Sequence, residues 1–203
     1  MLRRTESPGL TLAERKRQLV RDELGDAALR LLAKQGFEET TVDQLAAAAG
    51  VSRRTFFRYF ASKEDVVISF LSLVGEQIVA EVEARPADEP PAIAIREAVK
   101  AITVEHFLEN REKSVALIRH TQGVPALRAR FAETQDLLRD DVAAALAHRA
   151  GDAEPTPRQQ FAAGLGLMAF AGALTHWAAG EGREDPAVVL DAAFAEAGKA
   201  FAL

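Results

Sequence analysis

Three arginines and three phenylalanines crowd the stretch RRTFFRYF, Arg53 to Phe60, in a spacing suited to chemistry on a polyanion. Wound at about 100° per residue, Phe56 and Phe60 share one side and face inward. Arg54 and Arg58, four residues apart, point the other way, with Phe57 beside them and Arg53 at the margin. An outward guanidinium donates two hydrogen bonds to O6 and N7 of guanine, and an outward aromatic ring meets a thymine methyl or a sugar edge. Arg53, Arg54, Phe57 and Arg58 are therefore candidate base contacts. Thr41, Ser52 and Ser62 each precede a helical stretch, where free N–H groups and the dipole favour an anion. Lys63 opens the next helix and Tyr59 carries a hydroxyl on a half-buried ring; such groups set register on phosphates while arginines read bases. Each feature alone has a plainer reading. A pair of arginines is usually a solvated face, and a capping hydroxyl usually only caps.

These side chains need a scaffold that holds two short helices at an angle. Nearly the whole chain reads as helix, without sustained alternation or β-branched runs. Thr11 with Glu14 forms a capping box that opens a helix from Leu12 to about Gln35, ended by Gly36. Thr41 with Gln44 opens a second helix that stops at Gly50. Ser52 caps a third, Arg53 to about Phe60, and Ser62 a fourth, Lys63 to about Arg85. Gly50 permits the bend in AGVS, and Ala46 is small where the next helix must approach. Leu45, Ala49, Val51, Phe56 and Tyr59 supply apolar contacts around that turn, which completes a helix-turn-helix pattern. Past the breaker RPADEPP the pattern predicts helices from about Ala92 to Asn110, Arg111 to Gln122, Pro125 to Arg149, Arg158 to Ala179 and Pro186 to Ala202.

Charge follows the same division. Residues 1–63 hold 12 Lys/Arg against 8 Asp/Glu, whereas the remainder holds 13 against 22, for a total of −5. A basic head on an acidic body meets polyanions through the head. The chain has no cysteine, and MLRRTESPGL has no apolar signal core, so a cytoplasmic location is expected. The arm's Arg3 and Arg4 are placed to reach a minor groove, although such termini are more often unstructured. Residues 161–180, FAAGLGLMAFAGALTHWAAG, lack Lys, Arg, Asp and Glu over a length that would span a bilayer. Their Ala/Gly character, with Thr175, His176 and Trp177, reads instead as a soluble helix buried on two sides, by its own bundle and by a partner. None of His106, His120, His148 and His176 has an acid three residues before it, and no phosphate loop or nucleophile motif occurs. No metal, no cofactor and no catalysis are expected.

The stretch GFEETTVDQLAAAAGVSRRTFFRYFASKEDV resembles the N-terminal signature of TetR-family transcriptional regulators. The Gly36-Phe37 turn, Thr41, the AxxAGVS turn, the TxxRYF helix and the Ser62-Lys63-Glu64 start all match over roughly 30 residues. The resemblance implies an all-helical homodimer of about nine helices per chain. Residues 1–62 would be the helix-turn-helix DNA-binding domain, and 63–203 a helical bundle for ligand binding and dimerisation. By position it implies phosphate contacts at Thr41, Ser52, Thr55, Tyr59 and Lys63, and base contacts at Arg53, Arg54, Phe57 and Arg58. Many members carry a small residue or proline at position 54 and tyrosine at 57, so Arg54 and Phe57 imply an altered operator preference. The aromatic run TFFRYF is similar to an actinobacterial subgroup that includes the regulator of mycofactocin genes, where acyl-coenzyme A ligands are implicated.

The last two long helices are the expected dimer surface. Gly164, Gly166, Ala171, Gly172 and Ala178 would let a partner helix approach, and VVLDAAFAEAGKAF is amphipathic. A dimer of this kind reads a near-palindromic site with recognition helices roughly 34–36 Å apart. Apolar pocket candidates are Phe70, Val74, Phe107, Ile118, Phe131, Leu138, Phe161, Leu165 and Met168. Polar ones are Arg119, His120, Gln122, Gln135 and His176, with Arg119 the preferred partner of an anionic ligand. Apolar stripes at helical spacing are more often core than pocket. The expected function is a ligand-responsive repressor, released from its operator by a small apolar or acyl-type effector. The alternatives are a small-molecule sequestering protein whose head does not read DNA, and an activator of the same fold.

Overall fold

The computed structural model describes residues 11–37 and 39–200, and those residues form nine helices and no strand. The head consists of α1 (Leu12–Gln35), α2 (Val42–Ala48) and α3 (Arg53–Phe57). Then follow α4 (Lys63–Ala84), α5 (Pro91–Glu109), α6 (Arg111–Gly123), α7 (Pro125–Ala150), α8 (Pro157–Ala179) and α9 (Pro186–Ala200). Arg3, Arg4, the Glu14 side chain and the last residues of the expected final helix lie outside the described residues.

Local chemistry sets most of these boundaries. Thr41 accepts from the Gln44 N–H while the Gln44 side chain accepts from the Thr41 N–H, a complete capping box. Ser52 and Ser62 accept from the N–H groups of Thr55 and Asp65. Gly50 sits at φ 68, a left-handed conformation costly for a residue with a Cβ, and lets the Val51 N–H reach the Ala46 carbonyl at 3.0 Å. One boundary differs from expectation. α3 ends at Phe57 rather than near Phe60, because the chain must turn between Arg58 and the Ser62 cap, and its last turn tightens through Tyr59 N–H to Phe56 carbonyl at 2.9 Å.

Two apolar clusters organise the molecule. The head cluster gathers Leu24, Phe37, Leu45, Phe56, Phe60, Val66 and Val67. Leu127 from α7 is also fully buried there, with Leu117 and Val124 packed alongside, so the α6–α7 corner plugs the underside of the head. The body cluster gathers Ile78, Val82, Ile95, Val99, Val142, Leu146, Leu167, Phe170 and Trp177 around α4, α5, α7 and α8. Burying each large aliphatic side chain contributes about 1.5–3 kcal/mol. α8 is long and apolar enough to cross a membrane by composition, yet 44% of that window is packed inside the chain. Its inner stripe, Ala163, Leu167, Phe170, Ala173 and Trp177, meets α5 and α7, while Phe161 and Met168 on the outer stripe stand exposed.

Candidate functional site

The outer face of α3 is basic and aromatic. Phe56 and Phe60 are buried, as expected, and Arg53, Arg54 and Arg58 are exposed with Phe57 at 44% exposure. Their present engagements differ. Arg53 pairs with Asp43 of α2 at 3.0 Å and lies over the Phe57 ring at 5.5 Å. Arg58 lies over Tyr59 at 5.0 Å and donates to its hydroxyl at 3.3 Å. Arg54 is exposed and has no ion pair or hydrogen bond among the described residues, so its guanidinium is free to take an outside acceptor without first breaking a contact. The Arg53–Asp43 pair is exposed on both sides and so contributes at most about 1 kcal/mol, little enough for an outside acceptor to displace.

The hydroxyl groups flank this face in two ways. Ser52 and Thr55 share a hydrogen bond of 2.9 Å at the start of α3, and Thr41 sits exposed at the start of α2. Lys63 is half-buried. Its ammonium donates to the Phe37 carbonyl at 2.8 Å and to the Thr40 carbonyl at 3.4 Å, and stands 4.2 Å from the Phe37 ring. The lysine thus ties the α1–α2 turn to α4 and keeps one N–H for an outside acceptor.

Beneath the head lie two adjoining chambers. The outer chamber, about 180 Å³, is bounded by Asp26 and Arg30 of α1, Phe37, and Asn110, Lys113 and His120 near α6. The inner chamber, about 110 Å³, runs between α4, α5, α6, α7 and α8 and is lined by Val74, Phe107, Ile118, Phe131, Leu138 and Phe170 with Gln122 and Gln135. Phe70, His106, Ser114 and Leu117 line both. Each chamber alone is smaller than the roughly 300–1,000 Å³ of small-molecule sites. Burial, first of all, holds the His106 imidazole below its usual pKa, with Lys113 adding to the effect and Glu109 opposing it. His106 is therefore neutral near pH ~7, with one nitrogen to donate and one to accept. His120 accepts from the Phe37 N–H at 3.4 Å, a polar link between α6 and the head.

Of the sequence-based pocket residues, Phe70, Val74, Phe107, Ile118, Gln122, Phe131, Gln135 and Leu138 line the inner chamber and His120 the outer. Five do not. Arg119 points away, bound to Glu181 at 2.6 Å and to the Ala178 carbonyl, and His176 pairs with Glu184 at 3.2 Å. Both are drawn outward by acids of the α8–α9 loop. Phe161, Leu165 and Met168 lie on the outer stripe of α8, turned from these chambers by the helical period; Phe161 and Leu165 line a separate groove of about 590 Å³ between α5, α8 and α9, and Met168 stands exposed. The small-residue set also divides. Ala178 is core, Ala171 lines the inner chamber, and Gly166 faces Ile95 of α5; Gly164 is half-buried near Arg139, and Gly172 is on the open face. Sequence reasoning missed Arg30, Lys113, Ser114 and His106. The signal for Ser114 was present: it shares the inward face of α6 with Val115, Ile118 and Thr121.

Comparison with known proteins fits this geometry. Residues 24–70 match the family described as bacterial regulatory proteins, tetR family, and residues 89–202 match the MftR C-terminal domain. The transcriptional regulator TcmR of Streptomyces glaucescens is 36% identical over 153 residues, covering 73% of this chain and 68% of TcmR. MftR of Mycobacterium tuberculosis, named for regulation of mycofactocin biosynthesis, is 29% identical over 170 residues, covering 80% of this chain and 82% of MftR. The fold is similar to FadR of Bacillus subtilis in complex with stearoyl-CoA, with TM-score 0.63, 17% identity and coverage of 87% and 96%. It is also similar to FadR of Thermus thermophilus in complex with lauroyl-CoA, with TM-score 0.60, 23% identity and coverage of 90% and 95%.

Proposed function

Because the chain belongs to the TetR family of bacterial transcriptional regulators, we propose that it is a repressor that binds a near-palindromic operator as a homodimer and leaves it when an apolar or acyl-type effector fills the body. The observation that carries the reading is the exposed face of Arg53, Arg54, Phe57 and Arg58 above a mostly apolar cavity. Arg54 and Arg58 read base edges, and Thr41, Ser52, Thr55, Tyr59 and the remaining N–H of Lys63 hold phosphates. Homodimerisation is supported by the outer stripe of α8 and α9, where Phe161, Met168 and Val188 are 72%, 66% and 60% exposed. Apolar area of that kind on two adjacent helices suits a four-helix interface.

Release follows from differential binding. A ligand moves the equilibrium only as far as it prefers one state. The outer chamber is walled by α1 of the head and α6 of the body, and the His120–Phe37 hydrogen bond crosses that seam. An effector that presses on this seam changes the angle of each head, and with it the distance between recognition helices. The acyl-type effector is supported by the apolar inner chamber; the FadR structures in complex with stearoyl-CoA and lauroyl-CoA share the fold.

Fluorescence anisotropy of the purified protein on DNA from upstream of its own gene, against scrambled DNA at several salt concentrations, tests the reading. Preference for the upstream DNA and a steep fall of affinity with salt are expected. Equal, weak binding to both DNAs, together with no enrichment in a genome-wide selection of bound fragments, would remove the operator reading.

A further inference from the structure

We infer that Ser114 and His106 form a polar waist that recognises the carbonyl of an acyl effector, whose apolar chain occupies the inner chamber and whose anionic end faces Arg30 and Lys113. The inference rests on the reading of the cavity as the effector site, and adds the ligand's direction and the residues that sense its polar group.

Ser114 carries the argument. It is 4% exposed, it lines both chambers, and its Oγ has no hydrogen-bond partner. Buried hydroxyls elsewhere in the body bond back to a carbonyl four residues earlier, as Thr103 does to Val99 and Thr121 to Leu117. Ser114 makes no such bond, although the Asn110 carbonyl that would receive it is four residues back. A buried hydroxyl left open is destabilising unless something else meets it. His106 shares both chambers with it and supplies a neutral ring with a second donor.

The two sides of the waist differ in kind. Inward, the walls are mostly phenylalanine, leucine, isoleucine and valine, with Thr103, Thr121, Gln122 and Gln135 among them, and fit a hydrocarbon chain. Outward, Arg30 and Lys113 are exposed and make no ion pair among the described residues, so two cations await an anion beside the one acid, Asp26. A molecule laid across the waist places hydrocarbon, then carbonyl, then negative charge in that order. An acyl thioester of a phosphorylated carrier has this order, whereas a free acid merges carbonyl and charge in one carboxylate at the waist.

The chain contains its own reporter. Its one tryptophan, Trp177, stacks on Phe107 at 5.1 Å, and Phe107 lines the inner chamber alone. Full-length protein is titrated by tryptophan emission with dodecanoyl-coenzyme A, with dodecanoate, and with S-dodecyl-coenzyme A, the thioether in which a methylene replaces the carbonyl. The thioester should change Trp177 emission and bind about tenfold more tightly than the thioether. That preference should vanish in Ser114→Ala, and Arg30→Gln with Lys113→Gln should weaken thioester binding several-fold. Ser114→Ala should melt no lower than the parent, because it removes an unmet hydroxyl and adds a better helix former; a purely structural serine would lower the melting temperature instead. Dodecanoate binding as tightly as the thioester, with the same loss in Ser114→Ala, assigns the free acid and supports the waist. Equal affinity for thioester and thioether, or a preference that survives Ser114→Ala, overturns the waist and leaves the effector cavity standing. Binding detected by isothermal titration calorimetry without any change in Trp177 emission overturns the direction of the chain. If no probe binds a protein that still selects its operator, the waist and the acyl-type effector both fall, and the DNA-binding reading remains.

Discussion

At the scale of the residue, the three outward arginines are not equivalent. Arg53 and Arg58 already hold partners, Asp43 and Tyr59, whereas Arg54 has none among the described residues. Arg54→Ala should therefore leave the folded head intact and lower operator affinity by about 1–3 kcal/mol, with relaxed preference at one base position. Competition anisotropy with single-base operator variants measures this. A uniform loss on operator and random DNA would instead make Arg54 a phosphate contact.

At the scale of the element, helix approach and helix charge make separate predictions. α8 crosses α5 so closely at Gly166 that an added Cβ would lie 2.9 Å from Cγ2 of Ile95. Alanine in place of a mid-helix glycine ordinarily gains about 0.5–1 kcal/mol, but overpacking of a tight contact costs about 1–3 kcal/mol. Gly166→Ala should thus lower the melting temperature in a thermal denaturation scan. On α4, burial first, then Asp22 of α1 and Asp141 of α7, raise the Glu76 pKa above 4.5. The folded chain therefore holds this proton more tightly than the unfolded chain does. The resulting stability is full below the unfolded value and is lost as pH rises through the folded one. Glu76→Gln should give a small rise in melting temperature at neutral pH that fades on acidification towards 4.5. Solvent screening keeps the effect modest, and a rise that is constant with pH would point to packing rather than charge.

At the scale of the whole molecule, the proposed dimer rests on the exposed stripe of α8 and α9. Phe161→Glu with Met168→Glu should convert a dimer to a monomer in analytical ultracentrifugation without lowering helical content, because both side chains stand outside the chain's own core. The same variant should lose most of its operator affinity, since one head alone meets half the site and forgoes the gain of linked binding. A monomeric parent protein at micromolar concentration would refute the assembly.

The sequence by itself determined whatever depends on near neighbours. Caps at Thr41, Ser52 and Ser62, the bend at Gly50 and the inward turn of Phe56 and Phe60 arise within one or two turns of helix, so spacing alone reveals them. The tertiary structure decided whatever depends on which helix faces which. Arg119 and His176 looked like pocket residues until acids at Glu181 and Glu184, brought round by the α8–α9 loop, drew them outward. Ala178 and Gly166 looked like dimer contacts until α5 and the body core covered them. Ser114 looked like an ordinary helix residue until two chambers opened on either side of it. Helical periodicity says that a face is buried, but only the packed chain says against what. The chemistry of a cavity belongs to the residues that packing leaves without partners.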